Sequence, residues 1–309
     1  MSKVEHGSPV ILVTGAGGQV GIELRRSMSL LGQVVAVSRE ESDLGRPDQI
    51  EATLKRVRPN VIVNAGGYTE VDRAESDSDT AHRVNADAPG ILARLAAASG
   101  ALLVHYSTDY VFDGAKAGAY TEDDEPNPIS IYGASKLAGE RAIMRAGCKH
   151  YIFRTSWLFS LRGTNFLKSI ARAAQVRDAL SIVADQTGAP TSAALVADVT
   201  ALVVRAHLRG DRPADFGIYH LAAAGGTTWY DYARLIVDTL ASAGVPISVA
   251  PEQIRSITAA EYPMAAKRPA NSRLDTTKLR RAFDIELPDW ENGVLEVLMQ
   301  LAASREVLQ

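Results

Sequence analysis

A chain of 309 residues, 46% hydrophobic and 22% charged, holds enough apolar material for one large domain or two ordinary ones. A formal net charge of -3 gives no global basic field, which argues against nucleic acid and anionic membrane as partners. The single cysteine, Cys148, cannot form an internal disulfide, and no apolar stretch approaches the ~18 residues of a membrane span, so a soluble cytoplasmic protein is expected.

In chain order, short aliphatic runs fall at "VILVTG" (10–15), "QVVAVS" (33–38), "NVIVNAG" (60–66), "LLVHYST" (102–108) and "YIFRTSWLF" (151–159). Helical patterns separate the first four, over Val20–Leu31, Pro47–Val57 and Asp79–Ser99. Continuous apolar strands alternating with amphipathic helices predict an α/β fold with a doubly wound parallel sheet of Rossmann type. Beyond residue 160 the rhythm loosens. "DQTGAPTS" (185–192) reads as a turn-rich loop, "IYHLAAAGG" (218–226) as a late strand, and the helices of 229–309 are broken by five prolines. The expected division is a nucleotide-binding domain over 1–162 and a smaller lobe over 163–309, with the chain returning to the sheet near 216–223.

"TGAGGQVG" follows the first strand and opens the first helix, with Gly15, Gly18 and Gly21 at G-x-x-G-x-x-G spacing. Such a turn lets backbone approach a pyrophosphate at a helix N-terminus. The second strand ends at Ser38-Arg39, where an NAD site would place an acid for the ribose 2′-hydroxyl; an arginine can pair with a 2′-phosphate instead. It can equally be a solvated strand-end residue. NADPH is favoured, with NADH possible. Asp43-Leu44 falls where an adenine would rest.

Tyr132 stands four residues before Lys136, so both share one helix face. A phenol is a poor proton shuttle near neutrality, and a neighbouring ammonium is expected to lower its pKa. Thr108, at the carboxyl end of the fourth strand, can orient a substrate carbonyl. Together the three describe hydride transfer with proton delivery by a tyrosine.

The combination T-G-x-x-G-x-x-G, S-T-D and Y-x-x-x-K resembles the extended short-chain dehydrogenase/reductase superfamily. Six further blocks, "VIVNAGGYTEVDRAE", "HYSTDYVFDG", "IYGASKLAGE", "IFRTSWLF", "DQTGAPT" and "RPANSRLDT", are similar to the dTDP-4-dehydrorhamnose reductase family in that order, along almost the whole chain. The resemblance implies reduction of the 4-keto group of dTDP-4-dehydro-L-rhamnose in the last step of dTDP-L-rhamnose synthesis. It assigns catalysis to Thr108, Tyr132 and Lys136. It assigns the pyrophosphate to Gly18, Gln19 and Val20 beside Gly15 and Gly21, the adenosine half to Ser38, Arg39, Asp43 and Leu44, and the middle of the cofactor to Ala65 and Gly66, with Tyr132 and Lys136 also binding the cofactor, the lysine through the ribose. The sugar falls to Asp109, Tyr110 and Trp157, and the nucleotide diphosphate to Asn165, the "DQTGAPT" loop and Arg273, whose planar fork suits it. The expected partner is a dTDP-linked ketosugar, and the expected state a monomer or weak homodimer.

Plainer readings hold elsewhere. Asn85 is expected to tie sheet to helix, His105 to be a satisfied core histidine, and Cys148 to be inert packing. The histidines show no metal-ligand spacing. Some family members hold a metal at a dimer contact through acids; Glu23 and Glu291 match two such positions, but Ala194 stands at the third, so no metal is expected. Tyr110, where family dehydratases carry an acid, disfavours elimination. The alternatives are another nucleotide-sugar epimerase or reductase, and a non-catalytic NADP-bound regulatory subunit.

Overall fold

The computed structural model describes residues 7–211 and 215–304. Its centre is a six-stranded sheet of β1 (Val10–Thr14), β2 (Gln33–Val37), β3 (Val61–Asn64), β4 (Leu102–Thr108), β5 (His150–Thr155) and β6 (Gly217–His220). The strands run in the order β6-β5-β4-β3-β1-β2, every pair parallel. β3 and β4 are buried along their whole length, which is why they read as uninterrupted apolar runs and not as alternation.

Helices cover both faces. On one side α1 (Gln19–Ser27) packs with a helix over Ala193–Leu208 against Val13, Val63, Val104 and Phe153. On the other, α2 (Pro47–Val57), α3 (Ala88–Ser99) and α4 (Ile131–Ala146) close over Leu12, Ile62, Leu103 and Ile152. Thus both β6 and Ala193–Leu208, which follow residue 163, contribute to the layers of the sheet. A separate core gathers α5 (Phe166–Val176) with helices over Trp229–Ser242 and Trp290–Ala303, around Tyr232, Ile236 and Leu298.

Two expected elements break. The helix expected over Asp79–Ser99 is interrupted by a π-helical turn at Arg83–Asp87. Asn85 lies at its centre: its Nδ2 donates to the Tyr68 carbonyl and the Ser135 hydroxyl, and its Oδ1 accepts from the Tyr68 N–H. It is a buried structural polar group, as expected, joining the loop after β3 to α4. The strand expected over 151–159 is cut at Trp157, a non-glycine residue in the left-handed region at φ 46°. Cys148 is buried packing, its thiol pushed up by burial.

Candidate active site

The order of strands reverses at β1, with β2 on one side and β3 on the other, and ligand crevices open at the carboxyl ends of such strands. There the turn after β1 meets the turn after β3. A Cβ on Gly15 would lie 2.6 Å from the Gly66 nitrogen and 2.8 Å from the Ala65 carbonyl carbon, and Gly15 has φ 68°. Glycine at 15 is therefore required twice, by contact and by conformation. Gly21 is fixed by its approach to the Gly15 carbonyl, and Gly66 packs against the end of the Leu44 side chain. Gly18 caps α1 without a side chain, and the first turn carries no acid, so the helix presents bare N–H groups to an anion. These features fit a dinucleotide pyrophosphate. Val20 is buried and packs the helix on the sheet. The Gln19 amide oxygen is occupied, accepting from Asn165 Nδ2 (2.8 Å) and the Ser160 hydroxyl (3.1 Å).

At the end of β2, acids do arrive, but from further along the chain than a strand-end reading looks. Ser38 donates its N–H to Glu41 (2.8 Å) and its hydroxyl to Glu40 (2.7 Å). Arg39 is 78% exposed and lies 3.8 Å from Asp43, whose carboxylate also accepts from the Gly45 N–H. An open groove of about 840 Å³ runs from Ala16 and Gly17 past Ser38 and Glu41 to Arg25, a cation with no ion-pair partner among the described residues. The sequence reading passed over Arg25. Its only signal was its place on the helix that the glycine turn opens.

The three residues assigned to catalysis converge at the end of β4. The Thr108 hydroxyl donates to Asp109 Oδ1 (3.0 Å) and accepts from the Tyr110 N–H (3.1 Å). It is also near enough to the Tyr132 phenol to favour its ionised form. Ser130 caps α4 by accepting from the Gly133 N–H, which fixes the helix start and so the position of Tyr132. The ring of Tyr110 stands edge-on to that of Tyr132 at 5.6 Å. Burial pushes the Tyr132 phenol up to about 12, opposed by Thr108 and reinforced by Asp109. The expectation that Lys136 lowers it is corrected. The lysine shares the helix face, but its Nζ donates to the Tyr106 carbonyl at 2.5 Å and lies 3.5 Å from His105 Nε2. Burial brings Lys136 down to about 8, against the charge of Glu140. Asp109 is buried and pushed up to about 6 by that burial, with Oδ1 accepting from Thr108 and Oδ2 without a hydrogen-bond partner. Behind the site Glu140 is saturated by Arg154 (2.7 and 3.0 Å) and by the Ser107 hydroxyl (2.5 Å), a fully buried pair that holds α4 on β4 and β5.

On the far side, Trp157 stacks on Trp229 with centroids 3.5 Å apart. Gly188 of the "DQTGAPT" loop lies against it; a Cβ there would sit 2.4 Å from the indole. Arg273 Nε donates to Asn271 Oδ1 and Nη2 to the Ala117 carbonyl, so part of its fork is already spent on positioning. Asn165 caps α5 through Lys168 N–H, and its amide nitrogen serves Gln19 and the Ser160 carbonyl. Its side chain therefore joins the glycine turn to the second core. Glu23 pairs with Arg26, which also holds Asp198. Among the described residues no group of three or more His, Cys, Asp or Glu could hold a metal, and no helix is long and apolar enough to cross a membrane. Two features escaped the sequence reading because they join remote residues: Trp229 under Trp157, and Arg268, which meets Asp72 at 2.7 and 3.1 Å and also acts on Tyr110.

The family profile described as "RmlD substrate binding domain" matches residues 9–303. A dTDP-4-dehydrorhamnose reductase of Burkholderia thailandensis is 47% identical, over 92% of this chain and 96% of that protein. Among solved structures, a dTDP-4-dehydrorhamnose reductase of Bacillus anthracis in complex with NADP superposes with a TM-score of 0.84 at 31% identity, covering 95% of this chain and 99% of that one. The Clostridium acetobutylicum counterpart gives 0.85 at 34%, covering 94% and 99%.

Proposed function

The chain belongs to the dTDP-4-dehydrorhamnose reductase family, and we propose that it reduces the 4-keto group of dTDP-4-dehydro-L-rhamnose with NADPH, completing dTDP-L-rhamnose. The observation that carries the reading to named residues is the meeting of Gly15 with Ala65-Gly66 at the strand-order reversal, beside Thr108, Tyr132 and Lys136. The bare N-terminus of α1 would hold the pyrophosphate, and Ser38, Arg39, Asp43 and Leu44 the adenosine half. Bound there, the dinucleotide supplies the hydride. Thr108 and Tyr132 orient the carbonyl oxygen, and the neutral phenol of Tyr132 gives it a proton. Lys136, whose ammonium is placed by the Tyr106 carbonyl, would hold ribose hydroxyls of the dinucleotide. Asp109, Tyr110 and Trp157 would shape the sugar pocket, and Arg273 with the "DQTGAPT" loop would meet the diphosphate.

The division into a nucleotide-binding part over 1–162 with β6, and a sugar-nucleotide lobe after it, belongs to the same proposal. So do a cytoplasmic location and a monomer or weak homodimer. The test is NADPH oxidation with dTDP-4-dehydro-L-rhamnose, run beside UDP- and GDP-linked ketosugars. Fast oxidation with the dTDP sugar alone is expected. No oxidation with any ketosugar, by a protein that still binds NADPH, would favour the regulatory-subunit alternative.

A further inference from the structure

Three polar residues form a lateral row across the apolar sheet. In the parallel register Thr14 faces Asn64, and Asn64 faces His105. All three are buried, at 2%, 1% and 1% exposure, beside buried valine, leucine and isoleucine of the same strands. The Thr14 hydroxyl donates to Asn64 Oδ1 at 2.7 Å, and Asn64 Nδ2 lies 3.0 Å from His105 Nδ1. The other ring nitrogen, Nε2, is 3.5 Å from Lys136 Nζ. A buried polar row in a sheet core costs stability unless fully paired, and this one ends on a residue assigned to the reaction. It also begins under the cofactor cradle, since Thr14 and Asn64 directly precede Gly15 and Ala65.

The direction of the row has a chemical consequence. With the Thr14 proton on Asn64 Oδ1, the amide must point Nδ2 at the imidazole, so Nδ1 accepts. A neutral imidazole then carries its proton on Nε2, facing the lysine. An N–H aimed at Nζ is well matched to an amine and poorly matched to an ammonium. We propose that His105 is a positioning residue of the reductase: held by Thr14 and Asn64 as the Nε2–H tautomer, it sets how readily Lys136 keeps its ammonium, and with the Tyr106 carbonyl it fixes where Nζ lies.

Other groups around the lysine do not offer the same control. Glu140, one turn along α4, favours the ammonium but is saturated by Arg154 and Ser107. Tyr132, one turn back, and Asp109, beyond the end of β4, act on each other. The imidazole itself is held well below its usual range, by burial first and Lys136 second, so it stays neutral and tunes by tautomer.

The kinetic arm rests on the reductase reading, and the spectroscopic arm does not. With histidine labelled by ¹⁵N, the ring shifts of His105, assigned by their loss in His105→Gln, are expected to show a proton on Nε2 and a lone pair on Nδ1 at neutral pH. A proton on Nδ1, or an imidazolium, overturns the proposal whether or not the protein turns over a ketosugar. In His105→Gln, whose amide can offer an acceptor to the ammonium, the alkaline limb of kcat is expected to move up by about one pH unit or more. A limb that stays in place while kcat falls would reduce His105 to a core support. Should that variant not fold, the selective shift of one ¹⁵N signal pair in Asn64→Leu supplies the assignment, and the wild-type tautomer decides alone.

Discussion

At the scale of single residues, the charge states of Asp109, Tyr132 and Lys136 are governed by burial more than by neighbours. Asp109 shows the sign of the effect. Its folded pKa is raised to about 6 from 3.8, so the folded protein holds a proton that the unfolded chain has lost. Stability from this group is present below pH 3.8 and declines as pH rises through about 6. Asp109→Asn keeps an acceptor for Thr108 and removes the buried charge. It is expected to stabilise the fold by about 1–3 kcal/mol at pH 8 and by little near pH 4, measured by denaturant unfolding at both. Equal effects at both pH values would show that the carboxylate is solvated. At the end of β2 Arg39 is legible from sequence, but Glu40 and Glu41 are not. They follow a strand end, where periodicity is lost and only the turn brings them back to Ser38. Arg39 therefore works against two carboxylates. Arg39→Ala is expected to weaken NADPH several-fold more than NADH in direct binding titrations. An equal loss for both cofactors would make it a bystander.

At the scale of elements, the sequence is most readable where one physical rule dominates. β3 and β4 are buried on both faces, so they appear as unbroken aliphatic runs. Pro47 and Val57 bound α2 as expected, with proline at its first position. The reading fails where a single side chain overrides local propensity. Nothing between Asp79 and Ser99 signals that Asn85 will bond to Tyr68 and Ser135 at the centre of a π turn. Nor does the run around Trp157 signal a left-handed residue, since its stacking partner Trp229 is 72 positions away. Gly188 is the third part of that unit. Gly188→Ala forces a methyl into the indole and is expected to cost about 1–3 kcal/mol of stability. It should also alter the near-ultraviolet circular dichroism of the stacked pair and raise KM for the sugar nucleotide more than it lowers kcat. An unchanged spectrum would show that the loop moves aside freely.

At the scale of the whole molecule, the two halves of the site are held together by contacts that no local pattern reveals. Arg268 grips Asp72 with both ends of its fork across 196 positions of sequence, and Asp72 also accepts from the Ala266 N–H. Asn165 and Gln19 make a second tie, 146 positions apart. Arg268→Met keeps the apolar stem and removes the fork. It is expected to raise KM for the ketosugar several-fold while NADPH affinity stays within about twofold, since a partly buried bidentate pair is worth ~1–3 kcal/mol. Unchanged KM would show that the tie does not shape the sugar side. The central claim is that Tyr132 delivers the proton when the ketone is reduced. Its most direct measurement is turnover of dTDP-4-dehydro-L-rhamnose by Tyr132→Phe, with NADPH binding titrated separately on the same preparation. The account predicts a ~10²–10⁴-fold fall in kcat with NADPH affinity unchanged, because the ring and its contact with Tyr110 survive and only the donor is gone. Near-normal turnover in that variant, with the cofactor still bound, would contradict it.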